Sequence, residues 1–265
     1  EKIDEIRDEN ARNFLLLALA SVVPEASWTL KDGGVLKLAR SKRVPPLRQA
    51  FERKVRRMLK DVEMHAIAGP VPAIEEGDAR ALLLEDESIG GVVTSPPYLN
   101  NVDYTKVYGL ELSLLFDEQT VKRARARSLR SFIGGDYNPR AEASEPAVEA
   151  VLEKISEENR ASASGESGEG GGMRGMPLVV RTYFDDSFSV LKELYRVLKP
   201  GGSAGFVVSN AVLPGLTVNV DECVGLLGEE IGFEASAWVC AERWARVGIP
   251  KERPVRESVV VLKKN

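Results

Sequence analysis

Ile89-Gly90-Gly91-Val92-Val93-Thr94-Ser95-Pro96-Pro97-Tyr98 decides how this chain is read. Its first six residues make a short apolar run that stops at two prolines. Proline has no N–H to continue a ladder and restricts the residue before it, so the run is expected to be a buried strand ending at a fixed turn. In an open α/β sheet, ligands bind at the C-terminal ends of the strands. The turn gathers the Ser95 hydroxyl, carbonyls that the prolines leave free to accept, a stiff backbone and the flat ring of Tyr98. That set suits a planar ring carrying an exocyclic amine: the oxygens accept from the amine while the tyrosine stacks on the ring. Taken alone, the tetrapeptide is also compatible with a plain strand stop in which Tyr98 fills a gap.

Upstream, Val71 to Glu76 reads as a short strand running into Gly77-Asp78-Ala79-Arg80, with a leucine-rich helix over Ala81 to Leu84. Asp78 then stands at the sheet's C-terminal edge, where it can bind a ligand or simply cap the helix. One helix and one strand between Asp78 and Ser95 make an αβ unit. Further back, Asn13 to Val23 is expected to be a buried apolar helix ended by Pro24. Lys37 to Lys60 carries ten Lys and Arg residues against the single acid Glu52. Leu47, Ala50, Phe51, Val55, Met58 and Leu59 recur in it at helical spacing, which gives an amphipathic helix with a basic outer face. Such a face either follows a phosphate backbone or is merely solvated.

Downstream, a polar loop leads past Tyr104 to a helix over Tyr108 to Phe116. Tyr104 is a candidate for lining a base pocket, or a loop aromatic folded back on that helix. A second basic block follows, including Arg127 and Arg130. Two basic stretches around one loop favour a polyanionic substrate. Ala141 to Gly175, rich in Ser, Gly and Glu, is expected to be a mobile linker. Order resumes with a helix from Tyr183 to Leu198 that ends at Lys199-Pro200-Gly201-Gly202, then a buried strand over Ser203 to Ser209. Asn210 closes that strand near the tetrapeptide, as a substrate contact or a turn cap. Val220 to Ile231 reads as a helix, and Glu234 to Ala241 with Val255 to Lys263 as an antiparallel hairpin whose loop holds Arg243, Trp244 and Arg246.

Composition narrows the chemistry. The 265 residues are 43% hydrophobic with a net charge of -4, the profile of one sizeable domain or a domain with an insertion. The two cysteines, Cys223 and Cys240, lack metal-ligand spacing, and His65 is the only histidine, which argues against a zinc site or a Ser-His-Asp triad. With no apolar run of spanning length and no signal peptide, the expectation is a cytoplasmic protein without membrane or metal partners.

Thr94-Ser95-Pro96-Pro97-Tyr98 resembles the catalytic motif of S-adenosyl-L-methionine-dependent amino-group methyltransferases, which reads Asp, Asn or Ser, then Pro-Pro, then an aromatic residue. The serine form is most familiar from DNA cytosine-N4 enzymes. The longer pattern Ser-Pro-Pro-Tyr-x4-Asp-Tyr, followed by Val-Tyr-x-Leu-Glu-Leu, is similar to a bacterial and archaeal group of site-specific DNA methyltransferases. The resemblance implies an α/β fold: a Rossmann-like methyltransferase sheet flanked by helices, with a C-terminal antiparallel hairpin and a helical insertion. It implies S-adenosyl-L-methionine as cofactor, DNA as partner and a restriction-modification setting. Ser95, Pro96, Pro97 and Tyr98 become the catalytic residues, Asp78 and Thr94 the cofactor contacts, and Tyr104, Asn210, Arg127 and Arg130 the substrate contacts. The expected organisation is a helical basic segment over 1–62, a first part of the core over 63–140, a linker over 141–176 and the rest of the core over 177–265.

Enzymes of this kind carry a glycine-rich loop, roughly Asp-Pro-Phe-x-Gly-x-Gly, after their first strand. No such loop occurs in these residues, and Glu1 opens among alternating charges as if in mid-helix. The expectation is therefore a chain incomplete at its N-terminus. Other readings are an RNA amino-methyltransferase, where Asp is usual at the Ser95 position, a protein-glutamine methyltransferase, where Asn is usual, and a non-catalytic DNA-binding module of the same fold.

Overall fold

The computed structural model describes residues 2–32, 35–65, 69, 72–99, 102–132, 145–162, 178–213, 216–245 and 253–265. The chain divides into two compact units, one of Glu1–Glu75 with Val102–Ser128 and one of Glu76–Asn101 with Leu129–Asn265. Elements are numbered in chain order.

The first unit holds α1 (Glu9–Val22), the hairpin of β1 (Thr29–Asp32) and β2 (Val35–Leu38), α2 (Leu47–Met64), α3 (Tyr104–Val107), α4 (Gly109–Leu115) and α5 (Glu118–Arg127). Carboxylates start three of these helices: Asp8 accepts from the Ala11 N–H, Asp103 from those of Thr105 and Lys106, and Asp117 from that of Thr120. Helix α1 packs on α2, but the expectation of a wholly buried α1 fails. Only Ala18 and Val22 are buried, and Leu17 is 63% exposed. A unit of short helices and a two-stranded hairpin has too little interior to cover every apolar side chain. In α2 only Ala50 is buried, and Arg56, Arg57 and Lys60 are exposed on the side away from the apolar stripe.

The second unit contains β3 (Ile89–Thr94), α6 (Pro146–Ser162), α7 (Leu178–Val197), β4 (Leu198–Ser209), the small hairpin of β5 (Ala211–Leu213) and β6 (Leu216–Val218), α8 (Val220–Ile231), β7 (Phe233–Ala245) and β8 (Arg253–Lys264). The sheet order is β3-β4-β8-β7, with β3 and β4 parallel and the other neighbours antiparallel. The expected C-terminal hairpin is therefore β7 and β8, longer at both strands than the sequence pattern indicates. Ala204, Phe206 and Val208 of β4 and Ser258, Val260 and Leu262 of β8 are all buried. Their period of two marks one sheet face, on which α7 and α8 pack with Phe184, Leu191 and Leu227 fully buried.

Three expectations are corrected here. β3 is a strand but not a buried one: among the described residues it pairs only with β4, and Val93 is 87% exposed. The residues from Pro72 to Leu84 form neither the expected strand nor the expected helix. They are irregular apart from a single bridge between Asp78 and Ala81, and polar groups of α7 take up the backbone at its end: Glu193 accepts from the Leu82 N–H, and Arg196 donates to the carbonyls of Leu82 and Leu84. The expected linker contains α6, whose Val148, Val151, Leu152 and Ile155 recur at helical spacing and join the core. Residues 163–177, the most glycine-rich part of that stretch, lie outside the described residues.

Lys199-Pro200-Gly201-Gly202, expected to end the helix ahead of the strand, lie within the first residues of β4. Gly201 has φ +77°, and a Cβ at Gly202 would lie 2.9 Å from the Lys199 carbonyl oxygen and 3.0 Å from that of Gly90. Gly202→Ala is thus expected to cost about 1–3 kcal/mol, read as a lower urea midpoint at unchanged slope.

Candidate active site

Ser95 follows β3 directly and is exposed, with Pro96, Pro97 and Tyr98 half-buried behind it. Thr94, the last residue of β3, lies opposite Phe206 in register, so the motif begins level with the second half of β4. Leu99 is fully buried in the core and anchors the far side of the motif. The Tyr98 hydroxyl donates to Glu257 Oε1 of β8 at 2.7 Å. Glu257 in turn lies opposite Ser209, at the C-terminal end of β4.

Asn210 follows β4 and is buried. Its N–H donates to the Arg256 carbonyl at 2.9 Å, its Nδ2 to Asn219 Oδ1 at 3.3 Å, and its Oδ1 accepts from the Asp221 N–H at 3.4 Å. It joins the end of β4 to β8 and to the first turn of α8. Asp221 itself is buried and accepts from Arg256 Nη2 at 3.0 Å and from Ser258 Oγ at 2.7 Å.

Asp78 belongs to a four-residue charged chain. Arg80 donates to its Oδ1 through both the backbone N–H and Nε at 3.0 Å, and to its Oδ2 through Nη2 at 2.8 Å. The other arm of Arg80 reaches Asp186 Oδ1 at 3.1 Å. Arg130 closes on the same Asp186 with its N–H, Nε and Nη2 at 2.9–3.1 Å. Burial by itself raises the Asp186 carboxyl, but these bonds from Arg130 and the charges of both arginines outweigh it and hold the group below the usual carboxylate range. Asp186 stands three turns of α7 before Val197, about 16 Å along the helix.

The guanidinium of Arg130, expected among the substrate contacts, donates to Asp186. Tyr104 opens α3 with its ring partly exposed, and Arg127 is exposed at the end of α5. Both belong to the first unit, whereas Asp78, Thr94 to Tyr98 and Asn210 belong to the second. Trp244 is 71% exposed near the end of β7, and Arg246 lies outside the described residues. Among the described residues, no three His, Cys, Asp or Glu side chains are arranged to hold a metal ion, and no helix is long and apolar enough to cross a membrane.

The chain is 25% identical to the type II methyltransferase M.BsoBI of Geobacillus stearothermophilus over an alignment of 272 residues, covering 84% of this chain and 53% of that protein. The type II methyltransferases M.AvaI of Nostoc sp. (strain PCC 7120) and of Anabaena variabilis are 28% identical over 152 residues, which cover 54% of this chain and 30% of theirs. Its relatives are type II methyltransferases. The chain thus spans about half the length of the first relative and under a third of the others. No family model matches it. Among solved structures, a Thermus thermophilus protein assigned as a DNA modification methylase and complexed with S-adenosyl-L-methionine is 16% identical, with a TM-score of 0.34 over 71% of this chain and 53% of that one.

Sequence reasoning missed three carboxylates in the surroundings of the sequence-predicted residues: Asp186, Asp221 and Glu257. Asp186 left a signal, since it falls on the stripe of Tyr183, Val190 and Leu194 that α7 buries. An acid in such a stripe demands a cationic partner. Glu257 left none, because an exposed glutamate in an alternating strand is ordinary.

Proposed function

We propose that this chain forms the target-base part of an S-adenosyl-L-methionine-dependent DNA methyltransferase that acts on an exocyclic amine, cytosine N4 by preference. The observation that carries the reading is Ser95-Pro96-Pro97-Tyr98 at the end of β3, in a chain whose relatives are type II methyltransferases.

The residues present fit one end of the cofactor. Asp78 is a carboxylate, 35% exposed and oriented by Arg80, and it suits an adenine amine, which is a hydrogen-bond donor. Thr94 adds a hydroxyl at the end of β3. When bound, S-adenosyl-L-methionine supplies an electrophilic methyl group on a sulfonium.

The remaining work belongs to the motif. The target base leaves the duplex and stacks on Tyr98, an interaction contributing about 1–3 kcal/mol against an unstacking cost of a few kcal/mol. Ser95 Oγ and the Pro96 carbonyl accept from the amine and fix its direction. Holding the nitrogen in line supplies much of the rate, and the surplus proton leaves to solvent afterwards. Arg56, Arg57 and Lys60 of α2, together with Arg127, follow the phosphates.

The test is to incubate the full-length protein with labelled S-adenosyl-L-methionine and unmethylated DNA or RNA, then to identify the modified nucleoside by mass spectrometry. N4-methylcytosine in DNA is expected. Label in RNA alone, or in neither, overturns the reading. A second expectation concerns binding: Arg56→Gln with Arg57→Gln should weaken DNA affinity evenly across sequences. The slope of log affinity against log salt should fall by about 0.9 for each phosphate that is no longer neutralised.

A further inference from the structure

Glu257 stands 159 residues beyond Tyr98 in the chain, yet it is the acceptor of that tyrosine's hydroxyl at 2.7 Å. Its own position is fixed from three sides. Its sequence neighbours Arg256 and Ser258 both donate to buried Asp221 at 3.0 and 2.7 Å, which points them toward α8. Strand alternation then sends Glu257 to the opposite side. The Asn210 N–H holds the Arg256 carbonyl at 2.9 Å, and the register pairs Glu257 with Ser209 on one flank and Ala241 on the other. The backbone that carries this exposed carboxylate is thus fixed, and its side chain accepts from Tyr98.

We propose that Glu257 is the positioning residue of Tyr98, holding the ring in the one plane on which the flipped base stacks. This rests on the stacking role given to Tyr98 above. A tyrosine ring turns about two side-chain bonds. Pro96 and Pro97 stiffen the backbone that carries it, and a charge-assisted bond at the far end of the ring removes the remaining rotation. The base then meets a preformed surface and does not have to order one, which lowers the cost of binding. Contact with the base stays with the ring face, and Glu257 acts only through the hydroxyl.

The experiment compares Glu257→Ala, Glu257→Gln, Tyr98→Phe and the double variant Tyr98→Phe with Glu257→Ala, in the full-length protein. Glu257→Ala and Tyr98→Phe are each expected to raise KM for DNA by roughly tenfold, the size that one charge-assisted hydrogen bond supports, with kcat little changed. The double variant should be no worse than either single one, because both remove the same bond. Glu257→Gln keeps an acceptor oxygen and should recover most of the loss. Wild-type KM in Glu257→Ala, additive losses in the double variant, or a Glu257→Gln as impaired as the alanine form each overturn the proposal while leaving the methyltransferase reading in place. Fluorine NMR of fluorotyrosine-labelled protein, with the Tyr98 signal assigned by its loss in Tyr98→Phe, reads the anchor without any turnover. A shift of that signal in Glu257→Ala is expected. An unmoved signal overturns the anchoring even in a protein that transfers no methyl group.

Discussion

Asp186→Ala is expected to destabilise the protein by about 3–5 kcal/mol, the cost of removing one partner from a buried ion cluster. The side chain of Asp186 is 3% exposed and faces two guanidinium groups. Arg80 keeps Asp78 in that variant, but Arg130, 12% exposed, loses the acid that both its side chain and its N–H address. Against a typical net stability of about 5–15 kcal/mol, such a loss is at least about a fifth of the whole. Urea unfolding should show it as a lower midpoint with the slope unchanged. The pH dependence carries a second signature. A carboxyl held below its unfolded value of about 3.9 contributes stability that is fully present above that pH and is lost as pH falls through the lower folded value. Asp186→Asn cannot ionise at this position, so its stability curve should lose part of the acid limb. An acid limb identical to that of the wild type sinks the assignment.

The parts of this architecture that were legible in the sequence are those whose signal is local and repeated. Helix α8 matches its expected bounds from Val220 to Ile231, and the hairpin of β7 and β8 appears where alternating apolar residues place it. The motif at the end of β3 is legible because two prolines leave few conformations open. What stayed hidden depends on partners far away in the chain. Ala81 to Leu84 has good helix formers, yet Glu193 and Arg196 of α7 claim its backbone groups, and tertiary bonds override propensity. Helix α6 was obscured by its composition: the Ser, Gly and Glu of the surrounding tract outweighed four apolar residues at helical spacing. Arg130 shows the same limit at the level of function. In the sequence it is one more cation in a basic block, and only the fold turns it toward a buried acid 56 residues away.

Ser95→Ala is expected to lower kcat by about 100- to 1000-fold, while KM for DNA stays near the wild-type value, in a methyl-transfer assay on the full-length protein. In the proposed function, the split follows from when the bond between Ser95 and the target amine matters. In the ground state the amine is neutral and its N–H donates weakly to the hydroxyl oxygen. As the methyl group arrives, the nitrogen gains positive charge, its protons become more acidic, and every acceptor facing them binds more tightly. An interaction that strengthens only toward the transition state raises kcat and leaves binding alone. Losing one such pre-aimed polar group costs about 2.7–4 kcal/mol in comparable sites. Tyr98→Ala should behave differently, because in the proposed function stacking holds the flipped base before and during transfer alike. Its loss, about 1–3 kcal/mol, should fall mainly on KM and on kcat/KM. Ser95→Asn supplies an amide oxygen at the same place and should retain more turnover than the alanine form. If Ser95→Ala instead raised KM with kcat intact, the serine would be a ground-state contact, and the polarity of the amine during transfer would have to be managed by the Pro96 carbonyl alone.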